Sequence, residues 1–201
     1  DTGLMETAAR ELKRGFFSRI ERGRPWVRVK LAMSLDGRTA LANGESKWIS
    51  ADAAREDVQR WRARSAAILT SSDTVLADDP QLTARVPDGT DVVAPLRVVL
   101  DTRARVSTTA RVFDTSAPTL AVNAVDIVPD YGDEIAAFSV PRVEGRLDLG
   151  AMLAQLGQRG INELQVEAGA TLCGALLKAG LMDELLLYIA PVLLGERGRP
   201  L

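Results

Sequence analysis

The feature that most limits what this chain can become is a series of short apolar runs spaced along it. Ala66 to Thr70, Leu96 to Leu100, Thr119 to Val122, Ala136 to Val140, Leu164 to Glu167 and Leu185 to Ala190 each read as a strand. Patterns of helical period stand between several of them. One helix is expected from an N-cap at Ser50 to about Arg64, with Asp52 in its first turn and Val58 and Trp61 in its apolar stripe. Another, Leu149 to Arg159, places Leu149, Met152, Leu153 and Leu156 on one face and is closed by Gly160. Strands alternating with helices predict an α/β protein whose central sheet is parallel over much of its width. Ahead of them, Val27, Val29, Leu31, Met33 and Leu35 alternate with Arg28, Lys30, Ala32, Ser34 and Asp36, a strand that ends in the turn Asp36-Gly37-Arg38. Residues 5 to 22 read as one amphipathic helix that packs on, or belongs to, a neighbouring domain.

Two junctions stand out as places for a ligand. Leu164 to Ala175 reads as a buried strand, a turn through Gly169 and a helix (over Leu172 to Ala179) entered through small side chains. Unpartnered N–H groups at such a helix start, with the positive end of its dipole, can seat a phosphate. Tight strand-to-helix packing explains the same residues equally well. The second junction is the polar loop Ser71 to Pro80, which follows a strand at a place where α/β proteins bind ligands. Residues 86 to 95 form a Pro/Gly/Asp-rich surface loop.

Composition removes whole classes of chemistry. The chain has no histidine and one cysteine, Cys173, so a Ser-His-Asp triad, a Cys-His pair and the usual zinc sites cannot be built from it. Acid–base work falls to Asp, Glu, Lys, Tyr or bound water, which shifts weight toward chemistry carried by a cofactor. A net charge of −2 gives no overall positive field for nucleic acid or acidic membrane. No long apolar run suits a membrane span and no signal-peptide core is visible, so a cytoplasmic setting is expected.

Among single residues, Lys30, Ser46, Trp48, Arg62, Asp78, Arg85 and Glu167 flank strand ends. The arginines and the lysine can bind a phosphate or serve as solvated surface charge. Trp48 can stack on a ring or anchor its loop. Asp78-Asp79-Pro80 offers a carboxylate pair, or a turn in which Asp79 bonds nearby backbone. Glu167 ends an apolar strand and must meet water, a partner or a ligand, because burial unpaired is costly; it is read as functional.

Three motifs in order carry a resemblance. Lys30-Leu-Ala-Met-Ser-Leu-Asp-Gly-Arg38 with Gly44-Glu-Ser-Lys-Trp-Ile49, then Ile68 to Pro80, then Val166-Glu-Ala-Gly169 resemble the riboflavin-biosynthesis reductase family, over about residues 25 to 201. That family includes the C-terminal half of a bifunctional deaminase–reductase. The resemblance implies a dihydrofolate-reductase-like fold, and NADPH-dependent reduction of a ribosylaminouracil phosphate to its ribityl product. It places Ala32, Trp48, Thr74, Asp78 and Thr102 on cofactor-contacting positions, and the run Gly169, Ala170, Thr171, Leu172, Cys173, Gly174 and Ala175 around the cofactor's pyrophosphate. It places Ser46, Arg62, Leu82, Arg85 and Glu167 on substrate-contacting positions, the two arginines being natural phosphate partners. Lys30, on the same strand face, is added as a candidate for orienting the ribose or its phosphate, and Asp78, or a water it orders, as a proton source. Ser71, Ser72 and Arg103 could meet a 2′-phosphate.

The same resemblance makes residues 1 to 24 the end of a preceding deaminase domain, whose zinc signature this sequence lacks, and makes a homo-oligomer the expected state. It also implies further strands beyond Leu201 to complete the sheet. Two other functions share the fold: reduction of another pterin or pyrimidine, and a non-catalytic nucleotide-binding or dimerisation domain. Ser46, Arg62 and Arg85 weigh against the first, and Lys30, Asp78 and Glu167 against the second.

Overall fold

Each of these apolar runs becomes a strand in the computed structural model, which describes residues 3–44, 51–86, 89–127, 129–133 and 135–200. The chain opens with α1 (Glu6–Leu12) and α2 (Arg14–Arg22), followed by β1 (Trp26–Ser34) and β2 (Arg38–Ala40). Next come α3 (Asp52–Arg64), β3 (Ala67–Ser71), α4 (Ser72–Asp78), β4 (Leu96–Leu100), β5 (Thr119–Ala124) and β6 (Ala136–Val140). A small hairpin, β7 (Arg142–Val143) and β8 (Arg146–Leu147), leads to α5 (Leu149–Gln158) and β9 (Glu163–Val166). The chain then runs through α6 (Ala170–Lys178), β10 (Glu184–Ala190) and β11 (Arg199–Pro200).

Seven strands form one sheet in the order β10-β1-β9-β3-β4-β5-β6, and every neighbouring pair is parallel. Parallel strands need crossovers that cover both faces, which is why these runs are apolar almost throughout. Val27, Val29, Ile68, Leu69, Val98 and Val99 are wholly buried. On one face, Met152, Leu153 and Leu156 of α5 and Leu176 of α6 close the main core; on the other, Ile68 and Val99 pack with Val75, Leu82, Val106 and Val112.

Two arginines inside this sheet are also fully buried. Arg28 bridges Glu163 and Glu184, each at 3.0 Å, and stacks over the Trp61 ring. Arg97 pairs with Asp114 at 2.8 Å and donates to the carbonyls of Asp114, Ala117 and Gln81. A buried guanidinium needs this many acceptors, and here they pin the loops on either side of β4.

Three expectations change. Residues 5 to 22 are two helices broken at Lys13, and the face that docks is not the apolar stripe: Gly15 and Ser18 are buried, whereas Met5, Leu12, Phe16 and Ile20 are exposed. Gly15 is there for contact, since a Cβ on it would lie 2.8 Å from the Asn162 carbonyl oxygen. Arg19 bonds Asn162 at 2.7 Å, and Arg22 and Arg24 both reach Asp183. Ser71 to Pro80 is mostly helix and not loop: Ser71 caps α4 (Ser72–Asp78) by accepting from the Thr74 N–H. The N-cap of α3 is Ala51, while Ser50 lies outside the described residues.

The close approaches give a paired expectation. A Cβ on Gly157 would sit 2.5 Å from the Gly23 carbonyl oxygen, whereas one on Gly174 would meet nothing within 4 Å. Gly157→Ala should destabilise by about 1–3 kcal/mol through overpacking against backbone. Gly174→Ala should stabilise by roughly 0.5–1 kcal/mol through helix propensity. Urea denaturation of the two variants checks both signs.

Candidate active site

Because the strands are parallel, their carboxyl ends gather on one side of the sheet, which is where open α/β sheets bind ligands. A cleft of about 1210 Å³ lies there, reached by Lys30 and Ala32 of β1, Ser71 at the end of β3, Thr102 beyond β4 and Glu167 beyond β9. Among the described residues, no group of His, Cys, Asp and Glu could hold a metal ion.

The centre of the cleft is an ion pair. Arg62 Nε donates to Glu167 Oε1 and Nη2 to Oε2, both at 2.7 Å, so the two planar groups meet fork to fork. Gln165 Nε2 donates to Oε1 at 2.8 Å, and Arg62 Nη1 donates to the Thr83 carbonyl at 3.0 Å. The Glu167 backbone is held as well, its N–H on the Leu69 carbonyl and its carbonyl accepting from Thr70 Oγ1. Burial on its own would raise the Glu167 pKa, but the Arg62 fork, helped by Lys30 and Gln165, holds it below the ordinary carboxylate value.

Lys30 completes this wall. Its Nζ stands 5.7 Å from the centroid of the Tyr188 ring, whose hydroxyl donates to Asp57 at 2.6 Å. Burial lowers the Lys30 pKa, the Glu167 charge opposes that shift, and the Arg62 charge adds to it.

The start of α6 supplies a different surface. Gly169 is its N-cap with no side-chain hydrogen bond to the helix, and Gly169, Ala170, Thr171, Leu172 and Ala175 all line the cleft. Gly169 has φ −72° and ψ 171°, a conformation open to any residue, and a Cβ there would meet nothing within 4 Å. Neither turn geometry nor packing therefore requires the glycine; its missing side chain leaves room on the cleft side.

The structure sorts the sequence candidates. Lys30, Ala32, Arg62, Thr74, Asp78, Leu82, Thr102 and Glu167 line the cleft together with the α6 start. Leu82 is also a core residue, 4% exposed with φ 52°. Cys173 faces inward: its Sγ lies 3.4 Å from the Ala168 carbonyl, and burial pushes its thiol up to about 11. Gly174 is exposed and does not line the cleft. Arg85 is turned onto Thr83 and Gln81 instead of the cleft, and Arg62 is engaged by Glu167 instead of standing free for a phosphate. Ser46 and Trp48 lie outside the described residues.

Sequence reasoning missed Gln165, a polar residue in an apolar strand, and the β7–β8 hairpin. Its turn residues Glu144 (φ 50°) and Gly145 (φ 77°) line the cleft. Such a Gly-bearing two-residue turn between short runs was the available signal.

Comparison with known proteins finds clear relatives. The family model "RibD C-terminal domain" matches residues 25–201. The riboflavin biosynthesis protein RibD of Escherichia coli is 44% identical across 99% of this chain and 57% of its own length. The structure of Acinetobacter baumannii RibD superposes with a TM-score of 0.87 at 40% identity, over 98% of this chain and 55% of that one. A Thermotoga maritima structure, titled a diaminohydroxyphosphoribosylaminopyrimidine deaminase/5-amino-6-(5-phosphoribosylamino)uracil reductase, gives a TM-score of 0.84 at 28% identity, covering 98% and 53%. The chain thus spans about half the length of the curated relatives it matches. Its architecture is the dihydrofolate-reductase-like α/β fold.

A lowered Glu167 pKa carries a sign. Its stabilising contribution is present above the ordinary carboxylate pKa and is lost as pH falls through the lowered, folded-state value. Glu167→Gln should therefore be less stable than the parent at neutral pH, and the gap should close as the solution is acidified below about pH 4. Denaturant titrations at neutral and acid pH check this; a gap that does not change with pH contradicts the assignment.

Proposed function

The chain belongs to the RibD C-terminal domain family, and on that premise we propose that it reduces 5-amino-6-(5-phosphoribosylamino)uracil with NADPH, in riboflavin biosynthesis. The observation that carries this reading is that one cleft holds two unlike surfaces. One is an uncapped helix start beside unused space at Gly169; the other is the polar wall of Lys30, Arg62 and Glu167. At about 1210 Å³ the cleft exceeds the roughly 300–1,000 Å³ of a site for one drug-sized molecule, which suits a cofactor and a substrate side by side.

The residues present fit a nicotinamide dinucleotide. The N–H groups of Ala170, Thr171 and Leu172, at the positive end of α6, would hold its pyrophosphate; Ala32, Thr74, Asp78 and Thr102 would contact the rest, with Trp48. When bound, the nicotinamide supplies a hydride for the first carbon of the opened ribose.

The chain's own task is positioning. Glu167, held by Arg62 and Gln165, presents a fixed carboxylate to the substrate's N–H or hydroxyl groups, with Ser46 and Leu82 completing the contacts. Lys30, on the same wall, orients the ribose or its phosphate through its ammonium group, whose charge Glu167 supports against the cost of burial. Asp78, exposed at the cleft edge, or a water it orders, delivers the remaining proton. Arg62 acts through Glu167; Arg85 would have to leave Thr83 and Gln81 to reach a phosphate.

The whole protein is read as larger than this chain. Residues 1–24 would join a deaminase domain, and the exposed Leu4, Met5, Leu12, Phe16 and Ile20 of that segment suit an interdomain contact. A homo-oligomer and a cytoplasmic site are part of the same proposal; among the described residues no helix is long and apolar enough to cross a membrane.

Mixing the protein with NADPH and the phosphorylated aminouracil, and following loss of nicotinamide absorbance, tests the reading directly; intact NADPH binding without turnover would contradict it. Gly169→Val should weaken NADPH binding by roughly tenfold or more, about 1.4 kcal/mol, with unchanged folding. Arg62→Ala should raise the substrate KM while leaving the Kd for NADPH nearly constant; collapse of cofactor affinity would reassign that wall.

A further inference from the structure

Behind the wall of the cleft stands a pair of groups, Tyr188 and Asp57, to which the proposed reaction gives no task. Tyr188 lies on β10 opposite Ala32 of β1, two residues on from Lys30, so the tyrosine and the lysine share one face of the sheet. Lys30 lines the cleft and Tyr188 does not. The Lys30 Nζ stands over the Tyr188 ring, 5.7 Å from its centroid, within reach of a cation–π contact. Among the described residues the ammonium makes no hydrogen bond or ion pair, so its three donors are left for a ligand.

The ring is fixed at its far end. The Tyr188 hydroxyl donates to Asp57 Oδ2 at 2.6 Å, and the same oxygen accepts from Trp61 Nε1 at 3.2 Å, one turn further along α3. The Trp61 ring is itself packed under Arg28 of β1. Burial, then the hydrogen bond to Asp57, pushes the Tyr188 phenol well above its ordinary pKa, so the hydroxyl stays a donor. Helix α3 is thus tied to the sheet twice, by Asp57 to β10 and by Arg62 to Glu167 beyond β9. In the sheet, β1 lies between those two strands, and Lys30 stands between the two ties. The charged groups around it are Glu167, Arg62 and, across the ring, Asp57.

We propose that Tyr188, anchored by Asp57, is a positioning residue that holds the Lys30 ammonium in place and aims it across the cleft. This rests on the reading above in which Lys30 orients the substrate's ribose or its phosphate. Lysine is a point charge on a flexible four-carbon stem, and its use as a fixed cation requires something that selects one rotamer. A carboxylate in direct contact would do so, but it would also occupy the donors. The ring face attracts the ammonium through its quadrupole and leaves those donors to the ligand. Donation of the hydroxyl to Asp57 pushes negative charge into the ring, so the anion acts on Lys30 without touching it. Burial lowers the Lys30 pKa and Glu167 opposes that shift. The ring and its anion act in the same sense as Glu167.

The test reads Lys30 directly, by NMR of the full chain labelled with carbon-13 at the lysine ε position. The sequence has four lysines, Lys13, Lys30, Lys47 and Lys178, and loss of one signal in Lys30→Met assigns the one of interest. Tyr188→Leu, which keeps apolar bulk but removes the ring, should lower the Lys30 titration midpoint by roughly one pH unit. Asp57→Asn, which removes only the charge and leaves the fold intact, should lower it by roughly half a unit. A midpoint that stays or rises in Asp57→Asn, or in a Tyr188→Leu variant shown to be folded by circular dichroism, overturns the proposal. The rate profile is then compared. The alkaline fall of kcat/KM, followed by loss of nicotinamide absorbance, should move down by the same interval as the NMR midpoint. A moved midpoint with an unmoved rate profile would uphold the positioning of Lys30 and remove Lys30 from the reaction, so the two readings fail separately.

Discussion

The cleft is referred throughout to one partly buried ion pair. Arg62 on α3 and Glu167 at the end of β9 are 105 residues apart in sequence, yet they meet through two hydrogen bonds of 2.7 Å. Taking either charge out of water is costly, and leaving one without the other typically costs about 3–5 kcal/mol. The pair is tolerated because both ends are further satisfied, Glu167 by Gln165 and Arg62 by the Thr83 carbonyl. Those extra bonds tie α3, β9 and the segment after α4 into one frame. Lys30, set beside that frame, has its proton affinity lowered by burial and tuned by both charges.

The frame follows from the sheet. With all seven strands of the main sheet parallel, their carboxyl ends open on one edge, and residues from distant parts of the chain converge there without any long-range sequence signal. A second buried charge guards the frame from behind: Arg97 holds the Gln81 carbonyl, next to Leu82 and Thr83, while pairing with Asp114. The segment that supplies an acceptor to Arg62 is thus anchored at two points. Its left-handed residues, Asp79 and Leu82, are held in place by the Arg111 N–H and by the core.

Much of this was legible in the sequence where the signal is local. Leu96 to Leu100 and Ala136 to Val140 are strands with the bounds their apolar runs suggest, and Glu167 announced itself as a carboxylate ending such a run. What was not legible is which partner a charge would choose. Arg62 read as a phosphate ligand because nothing local shows that Glu167 will occupy it. Gly169 read as a turn residue, whereas its φ of −72° needs no glycine. Ser71 to Pro80 read as a loop because polar residues favour both caps and loops; the Ser71 cap on Thr74 decided for helix over Ser72–Asp78. The break at Lys13 and the docking of Gly15 on Asn162 depend on a tertiary contact that overrides the apolar stripe of Met5, Leu12, Phe16 and Ile20.

The central claim is that Arg62 serves the site through Glu167. A double-mutant cycle with Arg62→Met, Glu167→Gln and their combination, read in substrate affinity and in unfolding free energy, measures it most directly. The account predicts strong coupling, on the order of 2 kcal/mol or more in stability, with the combined variant binding substrate no worse than Glu167→Gln alone. Additive losses, with Arg62→Met weakening substrate binding equally whether or not Glu167 is present, would show that Arg62 touches the substrate itself and would contradict the account.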